Sequence, residues 1–195
     1  MLDEKTKARI VHYLSFEPQI GPDLEPWQNE IDEDIEQAAF DFVNTFDDID
    51  VYLFLWDITF NDTKDESTYQ HSPNNGRAFR AILNLKSRDP IAFLEEVLSL
   101  DDSGWRWVAV KELSERPGVR ATQLLIRVLI HDQDSDVRFT AAESLKLIGD
   151  ESALPALRHA EQHDSGCDYE GFSVAWAAQE AIQAIEARSA VPDPE

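Results

Sequence analysis

A single cysteine, Cys167, stands among 195 residues, so no disulfide can form within the chain. That usage fits a reducing compartment, and a cytoplasmic location is expected. Long apolar runs are missing too. The longest, Val51 to Trp56, falls far short of the roughly 20 residues a helix needs to cross a bilayer. The start, Met1-Leu2-Asp3-Glu4-Lys5, does not lead from basic residues into an apolar stretch, so no secretion signal is expected. Cationic side chains are scarce: 17 Lys and Arg face 39 Asp and Glu, a net charge of −22. Nucleic-acid backbones and anionic membranes are bound by clustered cations that displace counterions, and this chain carries the opposite field. A basic protein surface would be drawn to it, with fast and salt-sensitive association. The imbalance is uneven, since residues 1–75 hold 18 of the acids and only 4 of the bases. The bland alternative is that the acids serve solubility. Motifs for covalent or phosphate chemistry are absent: there is no Gly-x-Ser-x-Gly turn and no phosphate-binding glycine loop. The reading is therefore non-enzymatic, although a pair among 39 carboxylates would escape a motif search.

What is present is repetition. The stretch Asp134-Ser135-Asp136-Val137-Arg138-Phe139-Thr140-Ala141-Ala142-Glu143-Ser144-Leu145-Lys146-Leu147-Ile148-Gly149-Asp150 recurs on both sides. About 32 residues earlier, Trp105, Arg106, Ala109 and Leu113 fall under Val137, Arg138, Ala141 and Leu145. About 37 residues later, Val174, Ala178, Ile182 and Ile185 fall under Val137, Ala141, Leu145 and Ile148. A period in the thirties marks a stacked array in which each helix pair buries its apolar face only against its neighbours.

These residues resemble HEAT repeats, in particular the short bacterial kind first described in phycobilin lyase subunits. The signature is Asp-x-Asp-x-x-Val-Arg-x-x-Ala-Ala-x-x-Leu-x-x-Ile-Gly-Asp over Asp132 to Asp150, followed by Ala153-Leu154-Pro155-Ala156-Leu157 opening the next helix. The outer copies are looser, with Trp105 in place of Val137 and Ala175 in place of Arg138. The resemblance covers about residues 89–188. It implies an all-α, HEAT-like α-solenoid of antiparallel helix pairs and a scaffold role. It implies bilin chemistry only for the members that handle bilins, so a phycobilin-lyase-like or general assembly scaffold stands as the alternative to an acidic neutraliser of a basic protein. No cofactor is expected.

The expected organisation is an acidic N-terminal helical region over 1–75, a repeat array over 76–188 and a flexible tail over 189–195. Helices are expected near 3–14 and 29–46, with an extended connector between them around Pro18, Pro22 and Pro26. Residues 49–60 suit a strand or a helix, and helix is preferred. Further helices are expected near 76–87, 90–99, 104–115, 119–131, 135–148, 151–163 and 171–188. Ser72 to Gly76 reads as a turn, and Gly118 and Gly149 as left-handed positions between helices.

On a helical wheel Val137, Ala141, Ser144, Leu145 and Ile148 share the core side. Phe139, Glu143 and Lys146 oppose them, with equivalents Trp107, Lys111 and Ser114 before and Trp176, Glu180 and Gln183 after. By the resemblance, second helices line the concave face of such an array, so Trp107, Phe139 and Trp176 would form an aromatic row there, with Glu143 and Glu180 beside it. Such rings either anchor a partner or become core beneath the N-terminal helices. A second candidate interleaves the aromatics of Phe40 to Phe60 with Asp41, Asp47, Asp48, Asp50 and Asp57, as a negative rim around an apolar centre or as an ordinary solvated face. Two metal-like patterns are weaker. Asp132, Asp134, Asp136 and Glu143 have calcium-loop spacing, but Val137 stands where that loop needs glycine, and helix capping accounts for them better. His159, His163 and Cys167 are spaced by four, yet Gly166 is expected to end the helix before the cysteine.

Overall fold

The computed structural model describes residues 2–14, 41–45, 49–61 and 73–190. The expected connector, most of the 29–46 helix, Phe40, Phe46, Asp47, Asp48 and the tail from residue 191 lie outside the described residues. The chain divides into two compact units, Met1–Pro90 and Ile91–Glu195.

The first unit holds α1 (Glu4–Leu14), α2 (Ile49–Phe60) and α3 (Pro73–Leu83), with a further helical turn at 41–44. Both α1 and α2 pack on α3. The ambiguous 49–60 segment is a helix. Val51, Tyr52, Leu55 and Thr59 are buried while Leu53 is exposed, a helical spacing that strand alternation would not produce. Its rings meet along the helix at a tilt, Tyr52 with Trp56 at 5.8 Å and Trp56 with Phe60 at 4.4 Å, and Phe60 is edge-on to Phe79 of α3 at 6.5 Å. Two arginines of this unit lie over its rings, Arg88 3.4 Å from the Tyr52 ring centre and Arg9 4.3 Å from that of Phe42. The turn expected over Ser72 to Gly76 is instead, from Pro73 on, the first turn of α3. Proline's fixed φ and missing N–H suit the first helical position, so the same residues that read as a turn start a helix.

The second unit is three helix pairs: α4 (Pro90–Val97) with α5 (Ser103–Ser114), α6 (Val119–His131) with α7 (Ser135–Ile148), and α8 (Leu154–His163) with α9 (Val174–Ser189). A short 3₁₀ turn, Glu151–Ala153, leads into α8. The second helices stack in register, α5 on α7 and α7 on α9, while α6 packs on α8. At the contact, Ala109, Ala141 and Ala178 are equivalent and fully buried, and their small size lets the helices approach. Beside them Leu113, Leu145 and Ile182 are buried, each contributing about 1.5–3 kcal/mol over an exposed position. Trp105 occupies the buried site that Val137 and Val174 take in the other pairs.

The motif arginines hold successive pairs together. Arg106 donates Nε and Nη2 to the two carboxylate oxygens of Asp132, at 2.8 and 2.9 Å, and Nη1 to the Leu100 and Asp101 carbonyls. Arg138 repeats the arrangement one pair later: Nε and Nη2 to Asp164 at 2.7 and 2.9 Å, Nη1 to the Asp132 and Gln133 carbonyls. A planar fork matched to a carboxylate, with further donors left for carbonyls, is what guanidinium offers and ammonium does not. The third copy has Ala175 at this position and makes no clamp, while Arg188 near the end of α9 donates to the Lys146 and Gly149 carbonyls.

Two acids of the calcium-like spacing have structural roles, Asp132 as acceptor of the Arg106 fork and Asp134 as a helix cap. Asp134 caps α7, accepting the Asp136 N–H, and Asp102 caps α5 through the Gly104 and Trp105 N–H groups. Gly149 is not left-handed as expected: its φ is −67°, and glycine is needed because an added Cβ would lie 2.5 Å from the Leu145 carbonyl oxygen. Gly118, directly before α6, is not in the left-handed helical region either: its φ of 158° and ψ of 163° lie close to extended backbone.

Candidate functional site

Equivalent positions on stacked helices point the same way, so the repeat itself aligns Trp107, Phe139 and Trp176 on α5, α7 and α9. None of the three is core. Trp107 is 41% exposed and Trp176 43%, and Phe139 is half-buried. Phe139 stacks on Trp176 with ring centres 6.5 Å apart and planes 18° from parallel. The Lys111 ammonium sits 5.6 Å from the Trp107 ring centre. Glu143 is half-buried beside the row, and Glu180 is ion-paired to Lys146 of the neighbouring helix at 3.3 Å. The row is therefore aromatic with mixed charge, and the acidic excess does not lie within it.

The loop between α8 and α9 extends this row, and the wheel did not reveal it. The third repeat is five residues longer than the second by the spacing of Val137 and Val174, and the added length falls in residues 164–173. Asp168 organises the loop. Its Oδ1 accepts the N–H groups of Glu170 and Phe172 at 3.0 and 2.8 Å, while its own N–H donates to the Phe172 carbonyl. Gly171 closes the turn at φ 92°, a conformation that side-chain-bearing residues rarely adopt. The Ser135 hydroxyl ties the Cys167 carbonyl to the start of α7 at 2.6 Å, and Ser173 caps α9 through the Trp176 N–H. This bonded loop displays Tyr169, 85% exposed, and Phe172, 50% exposed, with Phe172 5.8 Å from Trp176. The sequence signal was the longer third period, with an Asp-x-x-Gly turn carrying aromatics inside it.

Two carboxyls beside this loop are shifted in opposite directions. Hydrogen bonds from Arg138 hold the Asp164 carboxyl below its ordinary value, against the effect of burial. Asp136 moves the other way: burial raises it, the charges of Asp134 and Asp168 add to that, and a bond from the Tyr169 backbone offsets part of it. The Tyr169 hydroxyl is raised by its bond to Glu170 and by the charges of Glu170, Asp168 and Asp136. The surface around the loop is thus locally negative.

The other candidates are dispersed. Asp41 is exposed, and Asp50 lies in the first turn of α2. His159 and His163 stack at 4.6 Å, with His163 Nδ1 3.0 Å from the His159 carbonyl oxygen, while Cys167 lies beyond the helix in the loop. Among the described residues no three His, Cys, Asp or Glu side chains are placed to hold a metal ion.

A family model described as HEAT repeats matches residues 71–145 and 109–186. The chain belongs to the HEAT-repeat family. The match starts at residue 71, ahead of residue 89 where the motif becomes readable. It is to HEAT repeats at large and does not single out the phycobilin-lyase kind. HEAT repeats form protein-interaction or scaffold modules and are in general non-enzymatic. Comparison with curated proteins gave no match. Among the described residues no helix is long and apolar enough to cross a membrane.

Proposed function

We propose that this HEAT-repeat protein is a non-enzymatic neutraliser of a basic partner protein, acting as an immunity-type inhibitor that covers a cationic surface. The observation that carries the reading is the aromatic row Trp107, Phe139 and Trp176, held at the surface on three stacked helices where apolar rings would otherwise be buried. Rings of this size anchor interfaces because they bury much area at small rotamer cost. Glu143 and Glu180 stand beside the row as polar contacts. The acids of the first unit, Asp41, Asp47, Asp48 and Asp50 among them, supply long-range attraction within a net charge of −22. Anchors set how long a complex lasts, whereas distant charge sets how fast it forms.

The test is partner capture on the immobilised protein, followed by association kinetics on what is captured. A single basic protein released only at high salt is the expected result. Converting four or more acids within residues 30–50 to their amides should then slow its association and flatten the salt dependence. An on-rate that does not change removes the electrostatic half of the reading.

A further inference from the structure

We propose that Tyr169, Phe172, Trp176 and Phe139 form a docking plate for an arginine-bearing cationic segment of a partner protein, with Asp168 and Glu170 along its acidic edge. The inference deepens the proposed function and rests on its basic partner, but it moves the point of contact to the loop between α8 and α9.

Three features converge there. The first is continuity: Phe139 stacks on Trp176, and Trp176 meets Phe172, so three rings form one connected surface with Tyr169 on the same loop. The second is order. A tyrosine 85% exposed at a loop tip is ordinarily free to move, but this loop is tied by Asp168 to its own backbone and by Ser135 to α7. A surface already held in place loses little entropy when a partner docks, so its contacts appear as affinity. The third is charge. Asp134, Asp136, Asp168 and Glu170 gather around the loop, and the guanidinium beside it, Arg138, is engaged by Asp164. An incoming cation would lower the mutual repulsion of these carboxylates.

Arginine suits this surface better than lysine. Its flat guanidinium stacks on ring faces while its edge forks a carboxylate, whereas an ammonium is a strongly hydrated point charge. The chain uses the same chemistry internally, where Arg88 lies 3.4 Å from the Tyr52 ring centre.

The experiment is calorimetric titration of the full chain with an octa-arginine and an octa-lysine peptide at about 150 mM salt, where distant charges are screened beyond roughly 8 Å. Octa-arginine should bind about fivefold or more tighter than octa-lysine. The double variant Tyr169→Ala, Phe172→Ala should lose about tenfold in octa-arginine affinity, of the order expected for desolvated cation–ring contacts, and change little for octa-lysine. Both side chains lie at the surface, and an unchanged melting temperature checks that the fold is intact. Equal affinities for the two peptides, or an octa-arginine affinity untouched by the double variant, would overturn the docking plate while leaving the basic-partner reading in place. Failure of both peptides to bind would remove the two together.

Discussion

At the scale of single residues, the arginine clamps carry more of the structure than the surface acids do. Asp164 is mostly buried, bonded to Arg138 through both oxygens and to the Gly166 N–H through one. Its carboxyl is held below the unfolded value of about 3.8, so the folded chain binds that proton less readily than the unfolded chain. The clamp's contribution is fully present above the unfolded value and is lost as pH falls through the lower folded value. Asp164→Asn should therefore cost about 1–3 kcal/mol near neutral pH, since it replaces the charged two-oxygen acceptor of a largely buried pair with a neutral amide that can accept from Arg138 through one oxygen only. Below about pH 4 the loss should shrink, giving the variant a flatter stability profile in acid. Urea denaturation across pH 3–7 measures this, and parallel wild-type and variant profiles would show that Arg138 does not depend on the charge of Asp164. The sequence placed Arg106 and Arg138 in register but not their partners, because Asp132 and Asp164 lie 26 residues on and across a helix pair. Periodicity reveals equivalence, and only three-dimensional stacking reveals who meets whom.

At the scale of elements, the second helix of each pair was legible because it carries apolar spacing and a capping side chain: Asp102 for α5, Asp134 for α7, and Ser173 for α9. What misled was punctuation. Pro73 to Gly76 has turn composition, yet proline at a first helical position and tertiary packing on α1 and α2 favour helix there. Gly149 ends α7 without a positive φ, and its reason for being glycine is the Leu145 carbonyl at 2.5 Å and the Ile185 side chain at 3.2 Å from an added Cβ. Gly149→Ala should accordingly destabilise by about 1–3 kcal/mol, as overpacking against backbone does, rather than stabilise by restricting the unfolded chain. A melting temperature equal to or above the wild type would mean that the α7 terminus can yield. The aromatic row was legible in direction but not in exposure. A wheel says that Trp107, Phe139 and Trp176 oppose the core, but whether another element covers them is a tertiary fact. The 164–173 loop was illegible for a different reason: its order comes from Asp168, Gly166 and Ser135 bonds that no periodic pattern encodes.

For the whole molecule, a net charge of −22 opposes compaction, because folding brings like charges closer than they stand in an expanded chain. Against this stand the ion pairs of the described residues, which divide by exposure. Arg106 with Asp132 and Arg138 with Asp164 are largely buried, and salt screens such pairs weakly. Glu95 with Arg120 and Arg127, and Arg158 with Glu186, are exposed pairs worth at most about 0–1 kcal/mol each, and salt weakens them readily. Few attractions thus remain for salt to remove, while the repulsion among unbalanced acids is long-ranged and screened almost completely once the Debye length drops to about 3 Å at 1 M. Raising sodium chloride from about 10 mM to 1 M should therefore raise the melting temperature, with most of the gain by about 0.15 M, where the Debye length is already about 8 Å. Sodium perchlorate at equal ionic strength separates screening from the burial-strengthening effect of more kosmotropic salts, and the gain should survive in it at low concentration. A melting temperature that falls with salt would mean that surface pairs outweigh the repulsion. The acids would then be balanced within the fold itself, and the case for a cationic partner to balance them would weaken with it.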